Sequence, residues 1–137
     1  MQLKLDQGRP IYQQIIDEFK RRIARGELGP GDRIPSQREF AAMAQVNPNT
    51  VQRAYREMEQ ERIAETLRGQ GTFICSDPDL VARIREEMAE RALVSFVEEM
   101  RALGYSRENV LDLVAKAYDR VPVGGAGGGG GRGDGSL

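Results

Sequence analysis

The stretch PGDRIPSQREFAAMAQVNPNTVQRAYREME, Pro30 to Glu59, carries two helix-start signals close together, and their reading decides the fold. At the first, Ser36-Gln37-Arg38-Glu39 forms a capping box: the Ser36 hydroxyl is placed to accept from the Glu39 amide while the Glu39 carboxylate reaches back. Phe40, Ala41 and Ala44 give this helix an apolar side. At the second, Asn47 supplies an N-cap side chain and Pro48 suits the first helical position. Two short helices joined by a tight turn are predicted. From Pro48 to about Glu61, Val51, Ala54, Tyr55 and Met58 recur at i, i+3, i+4 and i+7, one buried stripe. The opposite face holds Asn49, Gln52, Arg53, Arg56 and Gln60, amides and guanidiniums with no carboxylate among them. Such groups match the donor and acceptor patterns of base edges in the major groove, and a capped helix start offers unpaired amides to a phosphate. A merely solvated polar face is the plainer reading of the same residues, so the surrounding elements must decide.

Upstream, Ile11, Ile15, Ile16, Phe19 and Ile23 predict a helix from about Pro10, at its first position, to Arg25, stopped by Gly26. Gly29-Pro30-Gly31 makes a turn and Arg33-Ile34 a very short strand. Downstream, Ile63–Leu67 and Thr72–Cys75 read as two strands of a hairpin whose tip is Arg68-Gly69-Gln70-Gly71. That glycine loop lacks the Lys-Ser/Thr ending of a phosphate-binding P-loop. A second region opens near Asp77-Pro78 with a long amphipathic helix ending at Gly104, and Ser106 caps another that finishes before Pro122. Two helices alone bury too little to stand free, which makes Leu80, Ile84, Met88, Phe96, Met100, Val110, Val114 and Tyr118 the candidate face for a second copy of the chain.

The expected fold class is mainly α with a small β-hairpin. Residues 1–75 form a winged helix-turn-helix, 76–122 a two-helix dimerisation region open to an unidentified small-molecule effector, and 123–137 a disordered glycine-rich tail. The tripeptide Arg132-Gly133-Asp134 in that tail is read as coincidence.

Composition narrows the function classes. The 137 residues suit one ordinary core, or a small module with a helical appendage. No run nears the roughly 18 apolar residues of a membrane span, and the N-terminus has no signal-peptide pattern, so a soluble, cytoplasmic protein is expected. With no histidine and the single Cys75, zinc sites, internal disulfides and Ser/His or Cys/His catalysis are disfavoured; no metal, no cofactor and no enzyme activity are expected. Glu86, Glu87, Glu90, Glu98 and Glu99 read as the wet face of the long helix. Net charge is −1, but residues 1–75 hold 12 Lys/Arg against 10 Asp/Glu, whereas 76–137 hold 8 against 11. The N-terminal module is the more basic half.

Taken in order, PGDRIPSQREFA, VNPNTVQRAYREME and RGQGTF, within Gly26–Ile74, resemble the winged helix-turn-helix of the GntR regulators. The two helices that follow are similar to those of the YtrA subfamily, so the resemblance runs from about Pro10 to Arg120. It implies a sequence-specific DNA-binding transcriptional regulator, a repressor, gripping an inverted-repeat operator in double-stranded DNA as a homodimer. It further implies that Arg38 contacts DNA, that Pro48, Asn49, Thr50, Gln52 and Arg53 sit in or beside the major groove, and that Arg68, Gly69 and Gln70 form a wing near the minor groove. Two departures stand out. Arg62 replaces the glycine that usually ends the recognition helix, which requires a left-handed conformation there. Pro48 replaces an arginine of many relatives, so operator preference does not carry over. A winged-helix protein-interaction module is the alternative reading. An enzyme built on the aminotransferase-like domain of some relatives is excluded by length.

Overall fold

Three aromatic rings from three helices make the centre of the N-terminal core, in a computed structural model that describes residues 3–123. They come from α1 (Ile11–Ala24), α2 (Gln37–Ala44) and α3 (Pro48–Gln60). Phe19 lies 5.6 Å from Phe40 and 5.9 Å from Tyr55, the latter edge-to-face, an arrangement favoured by the ring quadrupoles. Tyr55 brings a polar handle into this core, and its hydroxyl donates to the Pro35 carbonyl at 2.6 Å. Burial, and then the Glu39 charge, hold that phenol well above its ordinary pKa. Val51, Ala54, Tyr55 and Met58 are all buried, the stripe expected of α3.

The helix starts follow their caps. Ser36 Oγ accepts from the Glu39 N–H at 3.1 Å, and Asn47 Oδ1 accepts from the Asn49 N–H at 2.8 Å. Helix α1 departs from expectation at its first turn: Pro10 is its N-cap, and Ile11 is 40% exposed. Gln14 turns inward instead. Its side-chain amide accepts from the Asp6 N–H and donates to the Asp6 and Arg9 carbonyls, so burial leaves no polar group unpaired.

The β-structure is larger than a hairpin. Strands β1 (Arg33–Ile34), β2 (Ala64–Leu67) and β3 (Gly71–Ile74) form one antiparallel sheet in the order β1-β3-β2. Arg33 pairs with Phe73, and Glu65 pairs with the same residue from the other side.

Beyond the sheet, α4 (Leu80–Ala102) and α5 (Arg107–Tyr118) complete the described chain. It divides into two compact units, one running to Glu86 and the other starting at Glu87. The first turns of α4 therefore belong to the N-terminal unit, and here the candidate dimer face needs correction. Leu80 and Ile84 are fully buried in that unit, where Arg83 Nη2 donates to the Arg62 carbonyl and Arg85 Nε to that of Ala24. They fill their own chain's core and are not open to a second copy. In the other unit Ser106 caps α5 by accepting from the Asn109 N–H. Phe96, Met100, Leu113, Val114, Ala117, Tyr118, Val121 and Val123 there line an apolar groove of about 490 Å³. No helix among the described residues is long and apolar enough to cross a membrane. The expected disordered tail lies, apart from Val123, outside the described residues.

Candidate nucleic-acid interface

Because the Val51/Ala54/Tyr55/Met58 stripe pins α3 to the core, the other side of the helix faces solvent. Asn49, Gln52, Arg53, Arg56 and Gln60 are all exposed, and Thr50 is half-buried. The turn between α2 and α3 then brings side chains of both helices together. Gln37, Arg38, Ala41, Ala42, Val46, Pro48, Asn49 and Gln52 line one open groove of about 610 Å³ that has no carboxylate in its wall. The turn is tight because Gln45 ends α2 in the left-handed region at φ 53°, which lets the Val46 N–H reach back to the Ala41 carbonyl.

One expectation fails at this helix start. The Asn49 N–H is held by Asn47 Oδ1, and those of Thr50 and Val51 bond to the Asn47 carbonyl, while Pro48 has no N–H. The first turn of α3 thus has its amides already used, by the same Asn-Pro pair that starts the helix so firmly. What remains at this end is the helix dipole and the side chains.

At the other end of α3, Arg62 has φ 58°. Its N–H bonds to the Glu59 carbonyl at 3.1 Å and that of Ile63 to Met58 at 2.8 Å, the paired bonds of a Schellman cap, with Met58 and Ile63 both buried beneath it. This reversal feeds the chain directly into β2 and on to the hairpin tip. Arg68, Gly69 and Gln70 are exposed there, and Gly69 at φ 78° supplies the turn. The tip residues lie outside the α2–α3 groove, as do Arg53 and Arg56.

Two further residues join the site without having been singled out in the sequence. Arg33 on the edge strand β1 lays its guanidinium over Gly71: a Cβ built there would sit 3.1 Å from its Nε. A third strand pairing onto the hairpin brings it, and nothing in the local sequence announces that pairing. Tyr12 of α1 lies under Arg53, whose Cζ is 3.8 Å from the ring centroid. Arg53 Nε also faces Glu57 at 3.8 Å. Elsewhere, Cys75 is half-buried, and desolvation followed by the Glu65 charge raises its thiol pKa. Among the described residues no group of three or more His, Cys, Asp or Glu side chains is placed to hold a metal ion.

A helix-turn-helix with a polar outward face, closed by a three-stranded wing, defines a regulator of the winged-helix class. The model of the bacterial regulatory proteins, gntR family, matches residues 11–74. The chain is 44% identical over 112 residues to the HTH-type transcriptional regulator YhcF of Bacillus subtilis strain 168, covering 82% of this chain and 93% of that protein. It is 54% identical over 65 residues to the HTH-type transcriptional repressor YtrA of the same organism, 47% of this chain and 50% of that protein. A solved GntR family transcriptional regulator from Listeria monocytogenes has a TM-score of 0.76 at 35% identity, over 82% of this chain and 98% of that one. The protein belongs to the GntR family of transcriptional regulators.

Proposed function

We propose that this regulator represses transcription by binding an inverted-repeat operator as a homodimer, in the cytoplasm and without catalytic activity. The observation that carries the reading is the carboxylate-free groove where Arg38, Pro48, Asn49 and Gln52 converge on the exposed start of α3. Arg53 and Arg56 extend that face along the helix, and Thr50 supports its first turn. Amide and guanidinium side chains there match adenine and guanine edges, while Arg68, Gly69 and Gln70 at the hairpin tip reach for the backbone or the minor groove. Residues from Glu87 onward supply the second copy's contact: Met88 and Val110 are half-buried, and Phe96, Val114 and Tyr118 are exposed at 36%, 41% and 79%, a large apolar area for one chain to leave in water. The repressor sense rests on the similarity to YtrA.

Selection from a random double-stranded DNA pool, followed by binding measured across salt concentrations, tests the proposal. The expected result is one enriched inverted repeat with half-sites about one helical turn, roughly 34 Å, apart, and an affinity that falls steeply with salt. A pool that yields no enriched sequence would instead favour a winged-helix module that recognises protein.

A further inference from the structure

We propose that Tyr12, on α1 and outside the helix-turn-helix, is a positioning residue that fixes Arg53 in its base-reading orientation. The inference rests on the proposed role of α3 as the reading helix. The arginine Cζ stands 3.8 Å over the Tyr12 ring centroid. That distance suits a guanidinium stacked face-on, since one aimed nitrogen-first would bring that nitrogen about 1.3 Å nearer the ring. The five N–H donors of arginine lie in the guanidinium plane, so a ring against its face leaves them all available. Glu57 lies 3.8 Å from Nε, and 61% of the Arg53 side chain stays exposed. That exposure leaves the group open to a base, whose guanine O6 and N7 would pair with the fork of terminal nitrogens.

The tyrosine is itself held. It is half-buried on α1. The platform thus comes from α1, which the Phe19–Tyr55 edge contact locks against α3. An unsupported arginine would lose its rotamer freedom on reaching a base; here part of that ordering is complete before DNA arrives.

The test uses the full chain and the duplex that selection recovers for it, with the complete set of single base-pair substitutions of that duplex. Tyr12→Leu should lower affinity about two- to fivefold, the range of an exposed cation–π contact, and relax preference at the one base pair per half-site that Arg53→Ala also relaxes. Tyr12→Phe, which keeps the ring, should restore the profile, and Tyr12→Leu added to Arg53→Ala should cost nothing more. Thermal midpoints are read on every variant. The proposal is overturned if Tyr12→Leu leaves affinity unchanged or raises it, if its loss is spread evenly over all base pairs with a lowered midpoint, or if Tyr12→Phe behaves like Tyr12→Leu. If Arg53→Ala itself changes nothing, Arg53 is not a reader, and the reading of that helix face fails along with the inference.

Discussion

Replacing Arg62 with glycine should stabilise the protein, although it removes a charged side chain. At φ 58° the arginine holds a conformation in which its Cβ crowds the following carbonyl, at a cost of about 1–2 kcal/mol for an L-residue. Glycine removes that crowding but adds freedom to the unfolded chain, worth about 0.4–1 kcal/mol against it. The bonds of the cap use only backbone atoms, as does the Arg62 carbonyl that accepts from Arg83, so they survive the change. The two ranges leave a gain of about 0–1.6 kcal/mol, centred near 0.8, or a thermal midpoint raised by about 3–6 °C at that centre for a unit of this size. Urea and thermal unfolding of the full chain, with Arg62→Ala as control, read it directly. Arg62→Ala keeps the strained φ and should gain nothing. If both variants lose stability equally, the arginine side chain contributes more than its backbone costs, and the strain argument is wrong.

Gln52→Ala should weaken binding to the selected duplex by about 1–3 kcal/mol and relax preference at one base pair per half-site while leaving the thermal midpoint unchanged, measured by titration against the substituted duplexes. Arg68→Ala should lower affinity evenly across sequences and make the slope of log K against log salt shallower by about one, since a tip arginine on a phosphate releases counterions without reading a base. Ile84→Ala should cost about 2–5 kcal/mol in urea unfolding, because a fully buried side chain leaves a cavity; a cost near zero would place that helix turn outside the core. Cys75 should react with iodoacetamide at pH 8 more slowly than cysteine in an unfolded peptide, because a raised pKa leaves less thiolate, and urea should abolish the difference.

Much of the fold was legible because its signals are local. Ser36 and Asn47 mark helix starts through a bond from one side chain to an amide two or three residues on, and the four-residue stripe on α3 follows from the pitch of the helix alone. Helix ends were less even. Gly26 and Gly104 announce a left-handed residue, whereas Gln45 performs the same turn without any sign of it, because packing beneath the cap stabilises the reversal. Periodicity also identifies a buried face without naming what buries it. Along α4, Leu80 and Ile84 lie about 160° around the helix from Phe96 and Met100 at 3.6 residues per turn, and the first pair lies in the N-terminal core while the second lines a groove in the other unit. Contacts between distant segments left no local trace, which is why Arg33 beside the hairpin and Tyr12 beneath Arg53 emerge only from the structure.

The burial of Leu80 and Ile84 changes what the DNA-reading unit is. A fragment ending at Cys75 strips two fully buried side chains from the core, together with the bonds from Arg83 and Arg85 that cap the carbonyls of Arg62 and Ala24. Those carbonyls close the ends of α3 and α1, the helix proposed to read DNA and the helix packed against it. Burying side chains of this size is worth roughly 1.5–3 kcal/mol each, a large share of the few kcal/mol by which so small a unit is stable. The first turns of α4 therefore act as a clasp on the module that meets DNA, while the same helix, past Glu87, carries the apolar residues proposed to meet a second copy. Loosening Ile84 should weaken operator binding even where the reading side chains are untouched, and a cut made after Glu86 should spare the fold that a cut after Cys75 destroys.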